Sequence, residues 1–255
     1  MRLVFFIPFF INCNQPNSFE NSSSSRNYNY KTINNIELPT GFKRVNYPTA
    51  SFSNWLQNVA LKKDNIVYLY NHQPKPNQHL HSHVLDIEVG NKNLQQCADA
   101  IMKLRALYFY SSKQYQLIEF KGSEKTFNFL SFLKQSNSVD TLKQLNNFLE
   151  IVFTHCGSYN LSNWLHKKSI EIIDVGDVFI EPGSPGHAMI VVDVAININS
   201  NERIFLLAQS YMPAQSIHIV KNLNHQKLSP WYSNKAINVL TPSWNFKATQ
   251  HLKTW

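Results

Sequence analysis

The sequence predicts a single α+β domain in which helices pack on a mainly antiparallel sheet. Long stretches of helical periodicity occupy the middle of the chain, around residues 93–110 and 142–153. Strand patterns crowd the last third, around residues 177–180, 187–195, 203–209 and 216–220. These four runs are close neighbours with turn residues between them, which favours an antiparallel meander, and no regular strand–helix–strand rhythm points to a parallel sheet.

The bulk numbers agree with one domain. A chain of 255 residues can bury a proper core. With 43% apolar and 13% aromatic residues it is not a disordered composition. Only 7 glycines argue against Gly-rich phosphate loops, and no motif calls for a cofactor. The formal charge is +8, but Lys62-Lys63 and Lys167-Lys168 are the notable basic doublets, so no nucleic-acid partner is expected. A mild positive field suits an anionic polymer of the cell envelope.

The first segment, MRLVFFIPFFINC over residues 1–13, has the layout of a signal peptide, with Arg2, an apolar run and then a cleavage region. The run is too short to span a bilayer as a helix, which takes about 20 residues. Cys13 stands where bacterial lipoproteins carry a lipidated thiol, although Ile11 and Asn12 replace the usual small residues and Pro8 interrupts the run. Lipidation, plain secretion and an ordinary first strand all remain open. Residues 14–31 are rich in Asn and Ser and read as a tether that cannot order itself. The folded domain is then expected over residues 32–255. The chain is accordingly read as exported, at the cell envelope, either anchored through Cys13 or free in the periplasm.

Within the domain, Ser51 is placed to cap a helix over residues 51–60, with Phe52, Trp55 and Leu56 on one face. Residues 66–70 and 84–89 read as strands, with a turn at Gly90-Asn91. The strongest helix runs over residues 93–110, where Leu94, Cys97, Ala98, Ile101, Leu104, Leu107 and Tyr108 fall at helical spacing. A strand is expected over 115–120, a second long helix over 142–153 and a short helix near 162–166.

Chemistry could be carried by Cys97, His187 and Gln209. A thiol near a helix N-terminus is expected to favour thiolate. A nearby imidazole can take and return its proton, and a polar residue on the next strand can orient the ring. Gln95, Gln96 or a helix N–H would face the oxyanion. Plainer roles stand beside these. Cys97 shares a face with Leu94, Ile101 and Leu104 and can be a core thiol, or it can pair with Cys156. His187 can close a turn, and Gln209 can satisfy loop backbone. His79, His81 and His83 alternate along the chain, but no carboxylate completes a metal site. Asp86, Glu88 and Asp99 can be acid/base groups, and solvation at a strand edge or in a helix's first turn explains them as well. Trp231, Tyr232 and Trp244 suit a core more than a sugar-stacking surface.

The order Cys97 on a helix, His187 on a strand and Gln209 on the next strand resembles the papain-like fold of the NlpC-type cell-wall peptidases. So does the histidine segment, with Gly176-Asp177, an apolar strand, and then His187 before Ala188-Met189-Ile190-Val191-Val192. The cysteine departs from that pattern, because Gln96 and Ala98 flank it where Asp and Ser are usual. The resemblance implies a papain-like, NlpC-type fold and a cysteine hydrolase or acyl transferase acting on an amide or ester, in an envelope polymer, a peptide or a lipid. A non-catalytic lipoprotein that binds an envelope ligand is the alternative. Over a wider span, from about Ile33 to Trp244, the chain is similar to an uncharacterised bacterial family known as domain of unknown function 4846. The stretches that carry this likeness are 38–42, 84–90, 94–100, 176–180, 185–188 and 207–215, including Gly41, Asp86, Cys97, His187 and Gln209. That resemblance implies an envelope protein of bacteria of the Bacteroidetes type and supplies no activity.

Overall fold

The computed structural model describes residues 31–136 and 138–255. The expected leader over residues 1–13 lies outside the described residues, as does the expected tether up to its last residue. Among the described residues, no helix is long and apolar enough to cross a membrane.

Strand β1 is Phe42–Arg44, helix α1 Phe52–Gln57, strand β2 His81–Val84 and helix α2 Cys97–Ser111. A small hairpin follows, β3 Glu119–Lys121 with β4 Thr126–Asn128, and then helices α3 Phe129–Lys134, α4 Thr141–His155 and α5 Ser158–Trp164. The sheet-rich end runs through β5 His166–Lys167, β6 Val178–Glu181, β7 His187–Asn197, β8 Arg203–Gln209 and β9 His218–Val220. It closes with β10 Tyr232–Ser233, β11 Asn238–Leu240, β12 Asn245–Lys247, helix α6 Ala248–His251 and β13 Leu252–Thr254. The main sheet has nine strands, in the order β2-β9-β8-β7-β6-β13-β5, with β1 also on β7 and β10 also on β8. Its pairings are all antiparallel among the described residues. The expected α+β class with a mainly antiparallel sheet is therefore what the chain adopts.

Strand β7 is the axis of the molecule. Its residues from His187 to Ala195 are all buried. A run of β-branched and apolar side chains with few polar breaks suits a strand covered on both faces. Helices α1 and α2 pack against it, and β6, β8 and β1 flank it. One charge sits in this strand. Asp193 is fully buried, and its carboxylate accepts from Arg44 Nε at 2.7 Å, from Gln57 Nε2 at 2.7 Å and from the Val194 amide at 2.9 Å. Three elements, β1, α1 and β7, are thus tied at one carboxylate.

Several elements sit where periodicity placed them. Ser51 Oγ accepts from the Asn54 amide at 3.1 Å and caps α1. The meander β6 to β9 has the expected order, and α4 covers the expected helix. Three expectations need correction. Residues 66–70 make only single bridges, Tyr68 with Pro74 and Leu69 with Gln215, because the facing stretch carries Pro74 and Pro76 and lacks ladder donors. The strand expected over 84–89 lies earlier, at His81–Val84, since β9 ends its pairing at His218 opposite Val84. Residues 115–117 form a single 3-10 turn, with Tyr115 stacked on Tyr110 at 5.3 Å, and only Glu119–Lys121 is strand.

Removing one partner of a buried ion pair leaves a stranded charge, so Arg44→Ala should lower the unfolding free energy by about 3 kcal/mol. Urea denaturation measures it. Arg44→Ala with Asp193→Asn should recover part of the loss, because no charge is then left unpaired.

Candidate functional site

His187 opens β7, where it pairs across the hairpin with Glu181 of β6. The loop before it is tight. A Cβ on Gly186 would meet the Gly183 carbonyl oxygen at 2.6 Å and that of Glu181 at 2.8 Å, so only glycine fits without a backbone shift. Gln209 ends β8 and faces His218 directly across the β8–β9 ladder. Side chains opposite each other on one face of a ladder are in contact range. The hairpin register therefore assembles a histidine, a glutamine and a second histidine within one sheet.

Their hydrogen bonds have only one consistent direction. His218 Nδ1 lies 2.8 Å from the Ser216 carbonyl oxygen, which can only accept, so Nδ1 carries the proton. In a neutral ring, Nε2 of His218 is then a lone pair. Gln209 Nε2 lies 3.2 Å from it and 2.8 Å from Ser243 Oγ, which uses both amide protons. The other end of the amide, Oε1, is 2.6 Å from His187 Nε2 and must accept from it. His187 is left with a free lone pair on Nδ1, which is buried and has no hydrogen-bond partner. Tyr211, Trp244 and Phe246 surround this imidazole, with ring centroids 5.1, 5.8 and 6.0 Å away. Trp244 is itself pinned by its indole N–H to Glu181 at 2.9 Å.

Cys97 arrives from the other side of the domain. The segment before it is clamped to the turn after β8. Asn93 Oδ1 accepts from the Ala214 amide at 2.7 Å, and the single Ser210 hydroxyl proton is shared between the carbonyls of Gln95, 3.0 Å away, and Gln215, 2.8 Å away. These contacts keep residues 93–96 out of the helix. Cys97 becomes its first residue, a full turn later than periodicity suggested. The backbone at Ala188 and at Ala98 lies near enough to the sulfur to favour its thiolate form. Since Ala188 follows His187, the thiol sits beside the start of β7. The three residues singled out from the sequence are thus brought to one region. Among the described residues, no hydrogen bond joins the His187 lone pair to the thiol.

The electrostatics differ from the sequence expectation. Burial raises the Cys97 thiol above its ordinary value, and the Asp99 carboxylate adds to this, while the backbone at Ala188 and Ala98 works against it. Asp99 is in the first turn of α2, where its Oδ2 accepts from the Gln96 amide at 2.8 Å, and burial pushes it up to about 7. The helix end does not win here, and the resting thiol is neutral. His187 is also neutral, pushed down to about 4 by burial with the Gln209 bond opposing, and His218 is pushed down to about 3 by burial with its Ser216 bond opposing.

The other candidates disperse. Gln95 is buried with both amide atoms unpartnered. Cys156 ends α4, and both it and Cys97 are free thiols. His79 lies in a short 3-10 turn, and a register shift separates His81 from His83. Among the described residues, no group of three or more ligands can hold a metal ion. Trp231 and Tyr232 are buried core residues. Sequence reasoning missed His218, Ser243 and the Ser216 carbonyl. The usable signal was the antiparallel register, which places His218 opposite Gln209.

Two measurements check the site. Long-range nitrogen-15 correlation spectra should show His187 protonated at Nε2 and His218 at Nδ1, and the opposite assignment would refute the bond directions. The pH dependence follows from the depressed imidazoles. The unfolded histidines protonate near 6.5, before the folded ones do, so this part of the stability is whole above about 6.5 and is lost as pH falls toward 4. Asp99, whose folded value is raised, acts with opposite sign, so the imidazole part is read as a difference. Wild type should lose stability relative to His187→Asn by about 3 kcal/mol over that window, seen in urea midpoints.

No curated protein and no solved structure matches the chain significantly. The family model of domain of unknown function 4846 matches residues 33–253, which takes in Cys97, His187, Gln209, Ser216 and His218 alike. The chain belongs to this family, and the site is part of its domain.

Proposed function

We propose that this protein is an envelope cysteine hydrolase or acyl transferase of papain-like type, acting on an amide or ester. What supports the reading is the free Nδ1 lone pair of His187, fixed by the Gln209 bond at the start of β7, the strand on which the Cys97 helix packs. The resting pair is a neutral thiol and a neutral imidazole. As substrate binds, the Cys97 proton passes to His187 Nδ1 and the sulfur attacks the carbonyl carbon. The tetrahedral oxyanion is met by N–H groups in the first turn of α2, which have no carbonyl partner within the helix. Its collapse expels an amine or alcohol that takes the proton back from His187 and leaves a thioester. Water or a second nucleophile then releases the acyl group. Gln209 orients the ring throughout. The raised thiol pKa makes the base necessary, since little thiolate exists at neutral pH without it.

The test uses p-nitrophenyl acetate. Wild type should acetylate at Cys97, detected by mass, with a rate that falls only as pH drops toward about 4, where His187 protonates. His187→Ala should be slower by about 100-fold or more. Gln209→Ala should lose less, and Gln209→Asn should recover part of that loss. A His187→Ala rate equal to wild type would remove the enzyme reading and leave a protein that binds an envelope ligand in the same domain.

The reading includes export. Arg2, the apolar run and Cys13 suit a lipid-anchored envelope protein, and the +8 charge suits an anionic polymer or membrane surface nearby. Metabolic labelling with a fatty-acid analogue should tag wild type and leave Cys13→Ser untagged. Equal tagging of the two would rule out an anchor at this residue.

A further inference from the structure

We propose that the cavity between α2, α4 and the 88–91 turn is a binding site for a small organic carboxylate with an apolar body, held by Lys103. This site is separate from Cys97 and His187 and does not depend on the catalytic reading.

Lys103 lies on α2 and is 8% exposed. Buried cations are normally paired, a rule that two partly buried cations of this chain follow. Arg44 meets Asp193 and Lys168 meets Asp177, both at 2.7 Å. Lys103 breaks it. Its Nζ donates to the Glu88 main-chain oxygen at 2.5 Å, and among the described residues no carboxylate lies within ion-pair distance. The exposed Glu88 side chain acts on it only at longer range. Burial pushes this lysine down to about 8, the direction set by an ammonium short of counter-charge.

The same lysine lines a cavity of about 560 Å³. A second cation, Lys62, lies on its wall over the Tyr68 ring at 5.8 Å, and His72 is nearby. The acids there are Glu88 and Glu150, and Glu150 is already bound by Lys92 at 2.7 Å. With Lys92 counted beside its partner Glu150, three lysines stand against two carboxylates at this site. Leu69, Leu149 and Phe153 supply apolar wall. Arginine, the side chain that suits phosphate by its planar fork, is absent from the lining. A single buried ammonium with an apolar wall matches a monovalent carboxylate that carries a hydrocarbon body.

The experiment titrates the whole protein with hexanoate by calorimetry, with 1-hexanol and inorganic phosphate as comparisons. Hexanoate should bind, and the alcohol and phosphate should bind at least about tenfold more weakly. Lys103→Met keeps the bulk and removes the charge, so it should weaken hexanoate by about tenfold or more, and Lys62→Gln should weaken it less. Removing an unpaired buried charge is not expected to unfold the protein. If Lys103→Met nevertheless fails to fold, the Nζ nitrogen-15 resonance of Lys103 in wild type should shift on adding hexanoate, and its titration midpoint should rise. No heat with hexanoate, equal binding by Lys103→Met, a preference for the alcohol or phosphate, or an unmoved Lys103 resonance would each overturn the proposal.

Discussion

The carbonyl oxygen of Ser216 can do nothing but accept a hydrogen bond. Because His218 Nδ1 meets it at 2.8 Å, every later bond in the chain has its direction fixed. The amide of Gln209 cannot flip, since reversing it would set an oxygen against the His218 lone pair and a nitrogen against the His187 N–H. The free nitrogen of His187 is thus specified by a backbone group two side chains away. Burial strengthens this order, because an unpaired polar atom in this interior would be left without water. The aromatic rings of Tyr211, Trp244 and Phe246 exclude solvent from the imidazole and so help hold its tautomer.

The thiol shows the opposite balance. A helix N-terminus offers a partial positive charge, yet the position is half-buried and Asp99 caps the same end. Desolvation outweighs the dipole, and Cys97 rests as a thiol. On the other side of the site, the Ser216 carbonyl leaves His187 Nδ1 bare. The two halves of the site are complementary in this sense. One side keeps a proton it would otherwise lose, and the other keeps a lone pair it would otherwise spend.

The strand-rich end was legible because β6 to β9 are neighbours in sequence and their apolar runs are bounded by turns. The class of the fold follows from that meander together with the periodicity of α2 and α4. Short elements were not legible. Residues 66–70 look like a strand by composition but face a proline-bearing stretch that no local pattern reveals. Cys97, His187 and Gln209 were visible as residue types at suggestive positions. Their partners were not, since Ser216 acts through its backbone and carries no side-chain signal. His218 takes its role only from its register against Gln209, which no local pattern reveals. The start of α2 also escaped periodicity, because Asn93 and Ser210 hold residues 93–96 to a turn far along the chain.

The placement of the site's parts along the chain has a consequence for folding. His187, Gln209 and His218 all belong to the continuous meander β7 to β9, whose contacts are local and close short loops. Cys97 is brought in by a helix far upstream, against the same strand, through contacts that are long-range in sequence. The histidine–glutamine–histidine chain can therefore be complete before the thiol docks, and Cys97 joins it only when the core is nearly closed. Pulsed hydrogen exchange would see this as protection in β7 and β8 ahead of the first turn of α2, and simultaneous protection would mean that the two halves fold as one unit.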